Sequence, residues 1–395
     1  MSIFRFAAGF RSAAGRCGLK ASGNPDLSLL VADNVCTGAG VFTTSLVKAA
    51  PVLYDQAVLA EHASEIRAII ANAGCANACT GAQGDAAARE MARLAAEAVG
   101  CEPHQVLVLS TGVIGHQLNV EKVAKGVAAI APELGVEHAP ALSEAIMTTD
   151  TRPKTSSATA VIDGVEVTVA GVAKGAGMIH PMMATMLSIV TTDAAIDADL
   201  AQSLLREVTD ASFNCVTVDG DPSTNDTLLL LASGVSGVTI NASNIAAFRQ
   251  ALEIVCIDLA KQIAADGEGA TKLITITVDH APSVAAARTV ARKIACSPLV
   301  KTAIHGGDPN WGRILAAAGV AGVPFDPSHV ELWLGEVQLV AGGTPTNYNE
   351  REAASQIGGQ QVAIRLNLGA GAATGYAWTC DFSAEYVRIN ADYRT

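Results

Sequence analysis

Basic residues are in deficit in this chain, with 26 Lys+Arg against 38 Asp+Glu and a formal net charge of −12. Nucleic-acid binders draw their affinity mainly from Lys and Arg neutralising phosphates, so this balance argues against that class. It leaves room for a small anionic ligand held in a locally basic pocket. Aromatic residues make up only 4% of the sequence. No uninterrupted apolar run reaches transmembrane length, and the longest, such as 228–232, are the size of a core strand. Low-complexity segments, internal repeats and long Pro/Ser linkers are all missing. The nine Cys are odd in number and scattered, and no secretory signal precedes them. They read as free thiols of a reducing, cytoplasmic compartment and not as a disulfide framework. Cys75 and Cys79 form one close pair without a second pair at metal-ligand spacing, and the eight His show no such spacing either, so no metal site is expected. Gly-x-Ser-x-Gly, His-Glu-x-x-His and Gly-Lys-Ser/Thr do not occur. Gly369-Ala370-Gly371 follows a strand but leads back into one, which removes the dinucleotide fingerprint.

What is present is a large apolar content, half of all residues, rich in Ala, Val, Leu, Ile and Gly. Apolar spacing of three to four residues predicts helices over 85–99, 199–208, 243–265, 284–295 and 311–318. Alternating or continuous apolar runs predict strands over 105–109, 166–173, 186–190, 215–218, 273–278, 329–334, 361–368 and 377–380. Strands and helices alternate along the whole length, which predicts an α/β or α+β layered protein. The first twenty residues carry Arg5, Arg11, Arg16 and Lys20 without an acid. They read either as a transit peptide or as an N-terminal strand and turn.

The central stretch Lys174-Gly175-Ala176-Gly177-Met178-Ile179-His180-Pro181-Met182-Met183-Ala184-Thr185-Met186-Leu187 is the most informative. Two glycines loosen the loop, Pro181 blocks helix continuation, and Thr185 falls where loop gives way to strand. A Thr there serves packing, or acts as a nucleophile if a base activates it, its own freed α-amine being one such base. Five further loops interrupt the apolar pattern. Ser110-Thr111-Gly112-Val113-Ile114-Gly115 suits either an oxyanion or a plain strand-to-helix turn. Thr148-Thr149-Asp150-Thr151-Arg152-Pro153-Lys154 suits a charged substrate or a solvated loop. Asp219-Gly220-Asp221-Pro222-Ser223-Thr224-Asn225-Asp226 reads as a hydrogen-bonded turn before a calcium loop, because it lacks the terminal Glu. In Asp266-Gly267-Glu268-Gly269-Ala270-Thr271-Lys272, a helix C-cap accounts for Gly267 but not for Gly269. Gly306-Gly307-Asp308-Pro309-Asn310-Trp311-Gly312-Arg313 fits an N-cap.

Taken together, these loops resemble the ornithine acetyltransferase / glutamate N-acetyltransferase family of arginine biosynthesis. The resemblance runs end to end, from Gly9-Phe10 and Gly18-Leu19-Lys20 through Gly40-Val41-Phe42-Thr43-Thr44 and Asn77-Ala78-Cys79-Thr80-Gly81. It finishes at Tyr386-Val387-Arg388-Ile389-Asn390-Ala391-Asp392-Tyr393-Arg394-Thr395. Two positions depart from it, Met182 and Cys75, where the family pattern leads to Asn. The resemblance places the first twenty residues at the start of the mature enzyme. It implies a layered αββα sandwich like that of N-terminal-nucleophile hydrolases. It implies self-cleavage between Ala184 and Thr185 into an α chain of residues 1–184 and a β chain of residues 185–395, which are cleavage products and not independent domains. Thr185 is then the nucleophile, Thr111 and Gly112 the oxyanion positions, and Thr151, Lys174, Thr185, Glu268, Asn390 and Thr395 the substrate-binding positions. The implied partners are N2-acetylornithine, glutamate and the protein's own two chains in an α2β2 assembly, without nucleic acid or membrane. No cofactor is implied, and acetyl-CoA enters only as an alternative acetyl donor. An amidohydrolase or aminopeptidase using the same Thr185, but passing the acyl group to water, is the competing reading.

Overall fold

The computed structural model describes residues 3–180 and 186–392. Its organising element is β2 (Leu27–Phe42), a long strand with exposed residues 33–35 at its middle, where the pairing register shifts. The first part of β2 pairs antiparallel with β1 (Phe10–Gly15) and β3 (Ile66–Cys75), and β3 pairs parallel with β4 (Val106–Val113). The second part leads into β9 (Thr227–Ala232), followed outward by β7 (Leu187–Thr192), β6 (Val165–Lys174) and β5 (Lys154–Ile162).

Side chains alternate between the two faces of a strand, so each of these strands feeds two different cores. Leu30, Ile69, Leu107 and Leu109 of the first half-sheet meet Val172, Ile189, Leu229 and Leu231 of the second. On the outer side of the first, Leu29, Ile70 and Val108 pack with Met91 of α2 (Gly81–Val99) and Val123 of α3 (Val120–Ile130). On the outer side of the second, Val190, Leu228 and Leu230 pack with Leu204 of α5 (Ala198–Ala211) and Phe248 of α6 (Ile245–Ala265). The layer order is helix, sheet, sheet, helix, as the resemblance implies. The Leu228–Leu231 run is apolar at every position because both faces of β9 are covered.

A further sheet follows. Its strands are β11 (Leu273–Ala281), β12 (Glu331–Leu334), β13 (Val337–Ala341), β14 (Thr344–Pro345), β15 (Gln361–Asn367) and β16 (Ala373–Cys380), in the order β14-β13-β12-β15-β11-β16. It has its own core of Ile276, Leu332 and Leu366 against Val290 and Ile294 of α7 (Val284–Ala295), with α8 (Pro298–His305) and α9 (Trp311–Gly319) alongside. Trp378 and Cys380 of β16 reach back into the core under α6 and join the two parts. Among the described residues no helix is long and apolar enough to cross a membrane.

Three expectations are corrected. The strand predicted over 105–109 continues to Val113, so Ser110-Thr111-Gly112 lies within a strand and not in a strand-to-helix turn. The strand predicted over 215–218 is a 3-10 turn, Phe213–Cys215, followed by a single bridge from Val216 to Trp378. There the Val218 amide leaves the sheet and bonds the Ile179 carbonyl. The helix predicted from 85 starts at Gly81. All nine Cys are free, as expected, and the N-terminal segment forms β1.

Candidate active site

Chain geometry at the end of β4 is set by two glycines. Gly112 has φ +127°, and a Cβ there would lie 2.4 Å from the carbonyl carbon of Gly74 on β3. The register shifts at this point, Cys75 facing both Thr111 and Val113. Only glycine permits this approach, and it leaves Thr111 and Gly112 at the wall of a cleft. Asn225 secures the wall, its amide donating to the Ser110 carbonyl at 2.8 Å and to the Ala76 carbonyl at 2.7 Å.

Lys174, the last residue of β6, is buried in the same wall. Its Nζ donates to Thr148 Oγ1 at 2.7 Å and to Thr111 Oγ1 at 3.3 Å. An ammonium has three donors, so these two bonds leave one for a ligand. Burial pulls the Lys174 pKa below its usual range, opposed chiefly by the Asp150 charge.

Behind this wall lies a buried ion cluster. Lys154 Nζ, with no exposed surface, donates to Asp150 Oδ1 at 2.7 Å and Asp266 Oδ2 at 2.6 Å. Asp150 also accepts from the Gly175 amide at 2.6 Å, tying the cluster to the glycine-loosened loop. Burial pushes the Asp150 pKa up, but the charges of Lys174 and Lys154 outweigh it and hold the pKa at about 2, below the ordinary 3.8. A depressed carboxylate stabilises the fold fully above its unfolded pKa and loses that contribution as pH falls through the folded one. Lys154→Met is therefore expected to cost about 3–5 kcal/mol at neutral pH by removing the buried cation that Asp150 and Asp266 share, with only the Lys174 charge left to compensate Asp150. Urea unfolding would show the deficit shrinking between pH 3.8 and about 2. A deficit independent of pH would rule out this coupling.

The rest of the cleft comes from residues 219–226, Glu268 and the C-terminal helix. Asp219 accepts from the Met178 amide at 2.6 Å and the Ile179 amide at 2.9 Å. Asp226, fully buried, accepts from the Met186 amide at 2.9 Å and the Ser223 amide at 3.3 Å. These carboxylates cap backbone amides on the two sides of residues 181–185, which is the hydrogen-bonded turn the sequence favours over a calcium loop. Burial pushes both their pKa values up, against the opposing amide bonds. Glu268 is anchored by its amide on the Ala176 carbonyl at 2.8 Å. A Cβ at Gly177 would lie 2.4 Å from the Glu268 carboxyl carbon, so Gly177 is needed for space, while positive φ is found at Gly175. Gly267 is not the cap expected at the end of α6. Asp266 occupies that place, and a Cβ at Gly267 would meet Cys380 Sγ at 2.7 Å. Gly269, unexplained from sequence, has φ +71° and lies against α11 (Ala384–Asp392), 2.6 Å from the Tyr386 nitrogen for an added Cβ. From that helix Tyr386 donates to Asp219 at 3.2 Å and Asn390 Nδ2 to Glu268 Oε2 at 2.7 Å.

The cleft, of about 130 Å³, thus brings together five of the expected residues: Thr111, Gly112, Lys174, Glu268 and Asn390. Thr151 is not among its lining. It bonds Asp266 through both its amide and its hydroxyl, while Thr148 and Thr149 of the same loop line the cleft. Ala184, Thr185, Met182 and Thr395 lie outside the described residues. His180, near Thr185 in sequence, is not in the lining either, its Nδ1 lying 3.3 Å from Thr217 Oγ1 and 3.6 Å from Cys296 Sγ. Sequence reading passed over Thr148, Asp219, Asn225 and Tyr386 as individual residues. Each lies in a segment it did single out, and their roles depend on partners far along the chain.

Fold and cleft together define a layered αββα enzyme whose small polar site holds a buried ammonium and a carboxylate. A family model described as the ArgJ family matches residues 11–395. The arginine biosynthesis bifunctional protein ArgJ of Symbiobacterium thermophilum is 48% identical over 393 residues, covering 98% of this chain and 97% of its own. Its namesake from Geobacillus stearothermophilus is 45% identical over 390 residues, covering 98% and 95%. The crystal structure of arginine biosynthesis bifunctional protein ArgJ from Bacillus halodurans matches with TM-score 0.51 at 44% identity, covering 52% of this chain and 98% of that one. The chain belongs to the ArgJ family.

Proposed function

We propose that this enzyme cuts itself between Ala184 and Thr185 and then moves the acetyl group of N2-acetylornithine to glutamate through an acetyl-Thr185 intermediate. The observation that carries the reading is the meeting of Thr111, Gly112, Lys174 and Glu268 in one cleft, with Ile179 and Met186 pinned by Asp219 and Asp226 on either side of the scissile segment. A second observation supports it: the solved Bacillus halodurans chain spans 52% of this one, close to the length of residues 185–395.

In maturation the Thr185 hydroxyl attacks the Ala184 carbonyl, and the acyl group shifts from nitrogen to oxygen. Water hydrolyses that ester, leaving the Ala184 carboxylate and the free Thr185 amine. An α-amine titrates near roughly 7.7–8.0, so a useful fraction is unprotonated at neutral pH and serves as general base. His180, turned toward Thr217 and Cys296, is not needed for that role. The hydroxyl then attacks the acetyl carbonyl of N2-acetylornithine, Thr111 and Gly112 hold the oxyanion, and ornithine leaves with the proton. Glutamate enters, and its amine takes the acetyl group in the reverse sequence. Lys174 pairs with the α-carboxylate that both substrates share, and Glu268 with the side-chain ammonium of ornithine. The two chains assemble as α2β2.

Incubation with N2-acetylornithine, with and without glutamate, tests the reading. Ornithine and N-acetylglutamate are expected to turn over in equal amounts when glutamate is present, and without it only one burst of ornithine per enzyme is expected. Free acetate released at the same rate without glutamate would replace the transferase by an amidohydrolase. Acetyl-CoA with glutamate is the companion assay, since the relatives' name, bifunctional, speaks of a second activity.

Gly177→Ala offers a finer check. The added methyl displaces the Glu268 carboxylate and its bond from Asn390. Losing one charge-assisted contact costs about 1.5–3 kcal/mol, so KM for N2-acetylornithine should rise about ten- to a hundredfold. KM for glutamate, which lacks the side-chain ammonium, should change much less. Equal rises would remove Glu268 from ornithine recognition.

A further inference from the structure

Helix α1 (Ala50–His62) ends in a tight corner before β3, where the Glu65 amide bonds the His62 carbonyl at 2.9 Å. The same corner is held to the 3-10 turn Pro103–Gln105, which carries His104. Gln105 Nε2 donates to the Glu65 carbonyl at 3.0 Å, and the Tyr54 hydroxyl donates to the Pro103 carbonyl at 2.8 Å. These ties bring His104 up to His62 and Glu65, some forty residues earlier in the chain, which is why residue spacing gave no sign of the cluster.

His62 Nδ1 lies 3.5 Å and His104 Nε2 3.3 Å from Glu65 Oε2. One donor atom from each of the three lies within 4.8 Å of the other two. His62 Nδ1 is sealed from solvent and has no hydrogen-bond partner among the described residues. Charge-assisted hydrogen bonds to a carboxylate are shorter, roughly 2.7–2.9 Å. The two separations from Glu65 Oε2 instead lie near the edge of a tetrahedron, roughly 3.3–3.4 Å, around an ion bound at roughly 2.0–2.1 Å, and the two imidazole rings lie side by side with centroids 4.3 Å apart. The carbonyl end of α1 adds negative potential beside His62.

We propose that His62, Glu65 and His104 bind a divalent ion of the Zn2+ class, with water in the fourth position. Two imidazoles and one carboxylate suit Zn2+, whereas Mg2+ and Ca2+ favour all-oxygen sets. The site borders a surface groove lined by Tyr54 and Arg89 and is separate from the cleft of Thr111 and Lys174. It clips the α1–β3 corner to the turn that leads into β4 and takes no part in acetyl transfer.

The test is calorimetric titration of the chelator-stripped, full-length enzyme with ZnCl2, and of its H62A/H104A and E65Q variants. The wild type should bind one ion per chain, and the double variant should lose that isotherm while keeping wild-type acetyl transfer, which reports that it is folded. E65Q, which keeps the side chain's shape, should weaken binding at least about tenfold, no less than the loss of an outer-shell partner costs. Substitution with Co2+ should give a four-coordinate visible spectrum without thiolate charge transfer. Absence of binding in the wild type, unchanged binding in E65Q, or a cobalt–thiolate band from a cysteine such as the exposed Cys79 would each overturn the proposal.

Discussion

Thr185→Ala is expected to run as a single full-length chain on denaturing electrophoresis and to show acetyl transfer no faster than background. The wild type should give two pieces of nearly equal length. In the proposed mechanism the methyl side chain removes the oxygen needed twice, first against the Ala184 carbonyl and then against the acetyl carbonyl. Thr185→Ser keeps that oxygen and should retain both cleavage and transfer at reduced rate. Cleavage or transfer that survives in the Ala variant would place the nucleophile elsewhere. Under native conditions the two pieces should stay together. Strands β7 and β9, which follow the proposed cut, lie between β2 and β6, which precede it. Lys174 of β6 stands opposite Leu187 of β7 in an antiparallel ladder across the cut. Separating the pieces would expose Ile189 and Leu229, which have almost no surface in contact with solvent.

Lys174→Met should give the second large effect, a fall in kcat/KM of about a hundred- to a thousandfold, the range of losing one preorganised donor. The substitution keeps most of the volume and removes the charge. Thr111 Oγ1 and Thr148 Oγ1 lose a shared donor, and on the proposed reading the carboxylates of both substrates lose their cation. KM should therefore rise for N2-acetylornithine and for glutamate alike. A rise confined to one substrate would refute a shared carboxylate site. Asp150 remains paired with Lys154 at 2.7 Å, so the fold should survive the change.

Much of this was legible in the sequence because it is local. Apolar alternation placed most strands within a few residues, and four of the five polar loops that break the pattern line the cleft, the loop 306–313 lying elsewhere. Thr111-Gly112 stood out by its position after an apolar run, yet its reading as a turn failed. The reason is Gly74, whose backbone meets Gly112 across the β3–β4 pair and draws the strand past the glycine. Gly177 stood out as a flexible residue, but the carboxylate of Glu268 is what requires it. Lys154 read as one of two loop cations available to a substrate. Burial between Asp150 and Asp266 makes it structural instead.

The sequence by itself determined the layered α/β class, the loop motifs that carry the family resemblance and the exclusion of phosphate-loop and dinucleotide templates. These depend on periodicity and on motifs whose residues are neighbours in the chain. Only the tertiary structure decided which five of the implied residues meet in the cleft, that Thr151 faces Asp266 while Thr148 serves Lys174, that Asp219 and Asp226 hold the amides of Ile179 and Met186, and that His62, Glu65 and His104 converge. Each of those depends on pairing across sheets or between turns distant in the chain, set by packing of whole elements and invisible to any local window.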